Sequence, residues 1–217
     1  GMRILGLFLI ALLSFAGCSR HVIGYNINGV PVSEGLGARL IFIKVEPFQD
    51  KRPEEEHKGS AGQFLAFASK DSDFIQPVAA SATDLIKEEL RKSGFKLAEK
   101  EWDEVARYIL SGEILHFQTM IKLPGTMIVP YLGTVATLWE SDQYTTVVSI
   151  KARMEDKATG KIIFEREFNI SEELRLKTGL FNLERLFGRG LSYQFKRLNL
   201  ALSDVLGQVR DEVIKNI

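Results

Sequence analysis

The sequence predicts an α+β fold: a two-layer sandwich in which a mixed or antiparallel sheet of about five strands carries two main helices on one face. Three observations lead there. Val78, Ala82, Leu85, Ile86 and Leu90 recur at helical spacing. Two alternating segments, Tyr144–Asp156 and Lys161–Ile170, flank the short glycine-containing turn Lys157–Gly160, the pattern of a hairpin. A last amphipathic stretch runs from about Ser192 to the C-terminus. Strands paired with their sequence neighbours leave both helices to cover the same side of the sheet.

Taken in order, Arg39–Val45 is nearly continuous apolar and β-branched, as for a strand covered on both faces. Residues 46–62 then hold Pro47, Pro53, Gly59 and Gly62, so a long loop is expected. Pro77 suits the first turn of the helix that follows. Gly94 can take the left-handed backbone that ends it, and Phe95 can pack back on its last turn. Residues 95–99 and 106–121 read as strands. Tyr144, Val148, Ile150, Ala152 and Met154 share one face of the next strand, opposite Thr145, Ser149, Lys151 and Arg153. Across the turn, Ile162, Phe164, Phe168 and Ile170 share a face. Leu191, Phe195, Leu198, Leu202, Val205, Val209 and Val213 line the final helix.

The N-terminus has a separate logic. Gly1 ahead of Met2 reads as the remnant of an expression tag. Arg3 supplies one positive charge, Ile4–Leu13 is apolar, and the small residues Ser14, Ala16 and Gly17 precede Cys18. That order is a secretory signal. A membrane-spanning helix would need about twenty apolar residues, and Arg20 closes this run too soon. Phe15-Ala16-Gly17-Cys18 resembles the bacterial lipobox. The resemblance implies cleavage before Cys18, a diacylglycerol on its sulfur and acylation (palmitate, for example) of the new amine. More than one acyl chain anchors stably. Ser19 stands where an inner-membrane lipoprotein of this kind carries aspartate, which by resemblance favours the outer membrane. The expected division is a signal peptide over 1–17, a lipidated tether over 18–37 with room for one short strand around Val22–Ile27, and a single periplasm-facing domain over 38–217.

Acylation of Cys18 would consume the only cysteine, so the fold must rest on its core without disulfides. The chain carries 28 basic and 28 acidic residues, and loss of Arg3 leaves it one charge from neutral, which gives no nucleic-acid footprint.

Arg39–Val45, the stretch PFQDKRP (47–53), the helix ATDLIKEELRKSGF (82–95), YILSGEI (108–114), DKATGKIIFE (156–165) and LNLALSDVL (198–206) together resemble the YajG-like group of bacterial outer-membrane lipoproteins. The wider relatives are the TolB amino-terminal domain and auxiliary lipoproteins of envelope ABC transporters. The resemblance spans roughly residues 39–213. It implies a membrane-tethered domain that serves an envelope machine and is not an enzyme. Two segments depart from the pattern: 122–143, and the basic run before the last helix.

No motif marks a catalytic or cofactor site. Glu54–His57 (EEEH) could suggest a metal, but consecutive residues do not converge on one ion, and a solvated acidic loop is expected. His116 shares strand parity with Leu110 and Ile114 and reads as a sheet histidine; His21 lies in the tether. Glu165 and Glu167 fall on the polar face of their strand. No catalytic residue, metal or cofactor is expected. The candidate contact is basic: Arg175, Lys177, Arg185, Arg189, Lys196 and Arg197 stand against Glu184 alone, interleaved with Leu180, Phe181, Leu183, Leu186 and Phe187. Such a mixture suits an anionic membrane surface or a groove on a protein partner. A lid whose arginines extend past packed leucines would look the same. Met127–Trp139, broken by Pro130 and Gly133, is either sheet cover or an apolar contact. The function expected is a lipid-anchored adaptor in envelope assembly or transport, with an envelope protein as partner. The rival is a carrier or sensor of an amphiphile, lipid or lipopolysaccharide, held between sheet and helices. Oligomeric state is left open.

Overall fold

One strand organises the molecule. β5 (Tyr108–Lys122) pairs along one edge with β6 (Ser141–Asp156), and along the other with three short strands in succession. β1 (Phe42–Val45) and β2 (Gln49–Asp50) run parallel to it, and β3 (Ala66–Ala68) runs antiparallel. β4 (Lys96–Leu97) extends the sheet parallel to β1, and β7 (Lys161–Lys177) closes the other side against β6. The order β4-β1-β5-β6-β7 makes the sheet mixed, parallel on one flank and antiparallel on the other. α1 (Glu54–Lys58) is one short turn, whereas α2 (Val78–Lys92) and α3 (Gly190–Asn216) cover one face of the sheet. The structure, a computed structural model, describes residues 21, 23, 41–59, 66–98, 104–122, 141–177 and 190–217. The signal segment, Cys18, Met127–Trp139, Arg185 and Arg189 lie outside the described residues. Among those described, no helix is long and apolar enough to cross a membrane.

Both helix-covering faces follow the expected periodicity. Val78, Ala82, Ile86 and Leu90 of α2 are buried, and Leu85 is partly so. Pro77 precedes the helix, and Gly94 at φ 87° follows it, placing the Phe95 amide to donate to the Leu90 carbonyl at 3.1 Å. On α3, Phe195, Leu198, Leu202, Val205, Leu206, Val209 and Val213 are buried against Leu110, Ile114, Val148, Ile150 and Met154 of the sheet. Between the helices, Arg210 Nη1 donates to Glu89 Oε2 at 2.8 Å, and the Glu89 side chain is only 1% exposed.

Four expectations need correction. β1 is packed on one face only: Ile43 and Val45 point into the core while Phe42 and Lys44 stay half-exposed. The long loop over 46–62 contains β2 and α1, because β5 offers them an open edge. His116 shares the parity of Ile114 but not its face. A bulge at Leu115 turns it outward, to pair with Ser149. Ile162 likewise leaves the face of Phe164: a bulge at Ile163 puts it opposite Glu155, where it is 45% exposed, and Ile163 packs on the core instead.

Gly112 is required where it stands. A Cβ there would lie 2.7 Å from the Phe48 ring, which packs flat against the strand and is itself buried.

Candidate functional site

The sheet has two distinct ends. At one, β5 finishes at Lys122, β6 starts at Ser141, β7 finishes at Lys177 and α3 starts at Gly190. At the other lies the turn Lys157–Gly160. There the Asp156 carboxylate accepts from the Ala158 and Thr159 amides at 2.9 and 3.1 Å, and Gly160 takes φ 67°.

The described members of the basic candidate gather at the first end. Arg175 and Lys177 lie on the last residues of β7, and Lys196 and Arg197 on the second turn of α3. Two of these charges are paired within the domain. Arg175 Nε donates to Glu173 Oε1 at 3.1 Å, and Arg197 pairs with Glu172. Both glutamates stand immediately before the span from which the basic excess is read, so that span overstates the positive charge. Glu172 faces the helices across from Thr146, and with Tyr144, Leu174, Tyr193, Gln194 and Arg197 it lines a cavity of about 10 Å³, the size of one water. A larger cleft of about 190 Å³ lies beside Gly112 and is lined by Glu46, Glu113, Lys151, Arg153 and Glu165. Glu165 there pairs with Lys151, and Glu167 accepts from the Ser149 hydroxyl at 2.7 Å, so the paired carboxylates stay on the polar face as expected.

The EEEH stretch is not a solvated loop. Between the places where β2 and β3 pair with it, the edge of β5 has free amides, and side chains fill the gap. Glu56 is buried: its Oε2 accepts from the Phe117 amide at 3.0 Å and its Oε1 meets His116 Nδ1 at 2.6 Å. Ser69 Oγ accepts from the Thr119 amide at 3.1 Å. Beside them Arg52, its side chain 1% exposed, grips Asp50 at 2.9 and 2.8 Å and Asp71 at 2.8 Å, and His57 Nδ1 meets the other Asp71 oxygen at 2.8 Å. Acid, base and imidazole meet here around the guanidinium, and the cluster latches β2, α1 and Asp71 together. Among the described residues, no three His, Cys, Asp or Glu side chains are placed to hold a metal ion.

The latch is pH-sensitive in a determined direction. Burial works to raise the Asp50 value, but the Arg52 hydrogen bonds and charge outweigh it and hold the carboxyl below its ordinary 3.8. The Asp71 hydrogen bond raises His57 above its ordinary 6.5, against opposing burial and the Arg52 charge. A lowered carboxylate contributes stability that is lost as pH falls through its folded value, and a raised histidine contributes stability that is lost as pH rises through its own. The latch is therefore fully set only above the ordinary carboxylate value of 3.8 and below the ordinary imidazole value of 6.5. Raising pH from about 5 to about 8 should lower the urea midpoint of the wild type more than that of His57→Gln. Identical slopes in the two proteins would remove His57 from the latch.

His21, expected in a free tether, is docked on the domain. Its amide donates to the Asp73 carbonyl at 2.6 Å, and its carbonyl accepts from the Ile75 amide at 3.1 Å, forming a parallel bridge across Phe74. Its ring stacks on Phe195 with centroids 3.9 Å apart and planes 19° from parallel. Phe195 also meets Phe74 edge-on at 5.6 Å. Two residues on, Ile23 is 9% exposed and belongs to the core. The short strand read around Val22–Ile27 adjoins it, but nothing in the sequence pairs His21 with Phe74 or Phe195.

The fold and these sites define a class of protein, a two-layer α+β domain whose N-terminal approach is bound to its C-terminal helix. The fold is shared. Protein XCC0632 from Xanthomonas campestris, described as DUF330, matches with a TM-score of 0.50 and 9% identity, covering 82% of this chain and 85% of that one. The minor lipoprotein from Acinetobacter baumannii is similar at a TM-score of 0.39 and 12% identity over 82% of this chain and 94% of that one. Lipoprotein GNA1162 from Neisseria meningitidis is similar at 0.34 and 13% over 72% and 99%. At such identities the likeness to XCC0632 is one of fold. No family model matches the sequence, and no curated protein does.

Proposed function

We propose that this chain is a YajG-like lipoprotein of the bacterial outer membrane, anchored through acylated Cys18 and facing the periplasm. Its domain acts as a non-enzymatic adaptor for a protein partner in envelope assembly or transport. The anchor rests on the signal-like run ending in Phe15-Ala16-Gly17-Cys18. The observation that carries the adaptor is the packing between sheet and helices. Ile114, Ile150, Leu198, Leu202 and Leu206 fill that layer, and the cavity at its edge admits one water, whereas an amphiphile carrier would need several hundred cubic ångströms there. Contacts are then made on the surface, where exposed charges steer encounter and choose between partners, more weakly as salt rises.

Crosslinking in intact envelopes tests the reading. Wild type should capture a defined envelope protein with a yield that falls with salt. Cys18→Ser, released from the membrane but folded, should lose most of that yield. Reversal of Arg175, Lys177, Arg185 and Arg189 to glutamate should lose the capture and its salt dependence without unfolding the domain, because exposed pairs contribute about 0–1 kcal/mol each. A reversed protein that captures the same partner equally well, with the same salt response, would move the contact away from the basic segment.

A further inference from the structure

A tether over 18–37 would let the domain stand well away from its membrane and turn freely. The docked segment removes that freedom. His21 is held by two backbone hydrogen bonds and a stacked ring, and Ile23 is in the core, so the chain is fixed to the domain three residues after Cys18. Three residues reach about 10 Å even when fully extended. The fixing point is Phe195, on the second turn of α3 and one ring away from Phe117, in the half of the sheet nearer Lys122, Ser141 and Lys177. The opposite end is far off. α3 has 27 residues, about 40 Å of helix, and β6 has 16, about 50 Å of strand.

We infer that the protein presents this one end to the lipid surface holding Cys18, with Tyr193, Lys196 and the tips of β5 and β7 at the headgroups and the Lys157–Gly160 turn directed away. The inference rests on the lipid anchor proposed above. Its occupant is the membrane of the anchored leaflet, chosen by the length of chain between cysteine and dock. The side chains at this end suit it. Lys122, Arg175 and Lys196 are exposed, and the Tyr193 ring is 40% exposed beside them. Cations and an aromatic with a polar tip belong at headgroup level.

The test uses the full chain, matured in a bacterial host and reconstituted into phosphatidylethanolamine–phosphatidylglycerol vesicles whose headgroups carry a nitroxide. A fluorescent residue replaces Tyr193 in one protein and Thr159 in another. Quenching should be several-fold stronger at position 193. Inserting a flexible glycine–serine linker between Arg20 and His21 should abolish most of that difference while both proteins stay folded. The mass of the N-terminal peptide, read on the same samples, separates the two claims. An unacylated Cys18 would overturn the anchor and the orientation together. An acylated Cys18 with equal quenching at both positions, or quenching indifferent to the inserted linker, would overturn the orientation alone.

Discussion

Arg210→Ala is expected to destabilise the domain by about 3–5 kcal/mol, more than any other single truncation of a surface-reaching side chain. The reason lies in its partner. Glu89 sits on the helix face between α2 and α3 with its carboxylate withdrawn from water, and Arg210 reaches it at 2.8 Å while also donating to Asp211 at 2.8 and 2.9 Å. Removing the guanidinium leaves the carboxylate buried without it, and a buried charge stripped of its partner costs far more than the pair contributes as a pair. The double replacement Glu89→Met with Arg210→Met should recover most of the loss, since two apolar side chains of similar length fill the same space. A denaturant titration of the three variants decides. An Arg210→Ala loss below about 1 kcal/mol would mean that water or another group reaches Glu89 readily.

Leu198→Ala should cost about 2–5 kcal/mol, the range for a leucine lost from a packed interior. Leu198 is 1% exposed on the face of α3 that lies on the sheet, in one buried cluster with Phe195, Leu202 and the sheet residue Val148. Leu85→Ala, on the half-buried edge of α2, belongs at the low end of that range or below it. Leu200→Ala, on a residue 43% exposed, should stay within about 0.5 kcal/mol. Equal losses at Leu198 and Leu200 would show that α3 is rotated from the register described.

Much of this fold is legible in the sequence. The start of α2 at Pro77 and its end at Gly94 depend on local backbone chemistry, and the β6–β7 hairpin depends on period-two alternation around a glycine turn. Both signals are local in the sequence. What the sequence does not disclose is decided at a distance. β2, β3 and α1 are too short to show a period and exist because β5 leaves an edge for them. The bulges at Leu115 and Ile163 each shift a side chain to the other face, a change no pattern of hydrophobicity announces. Glu56 reads as one of three consecutive solvated acids until the Phe117 amide, 61 residues away, gives it a reason to be buried. For the basic residues, the pairing of Arg175 with Glu173 and of Arg197 with Glu172 depends on strand register and on how α3 lies over β7.

The contact between Glu89 and Arg210 joins residues 121 positions apart, and His21 waits still longer for Phe195. A chain made from its N-terminus therefore holds α2 and the buried face of β5 only partly covered until α3, which packs on both, has been made. Pairing of that separation is slow to form, and the half-finished sheet is adhesive while it lasts. Loss of the residues beyond Leu198, by an early stop or a proteolytic cut, would not leave a smaller version of this protein: it would leave a sheet with much of its inner face open to water and a buried Glu89 without Arg210.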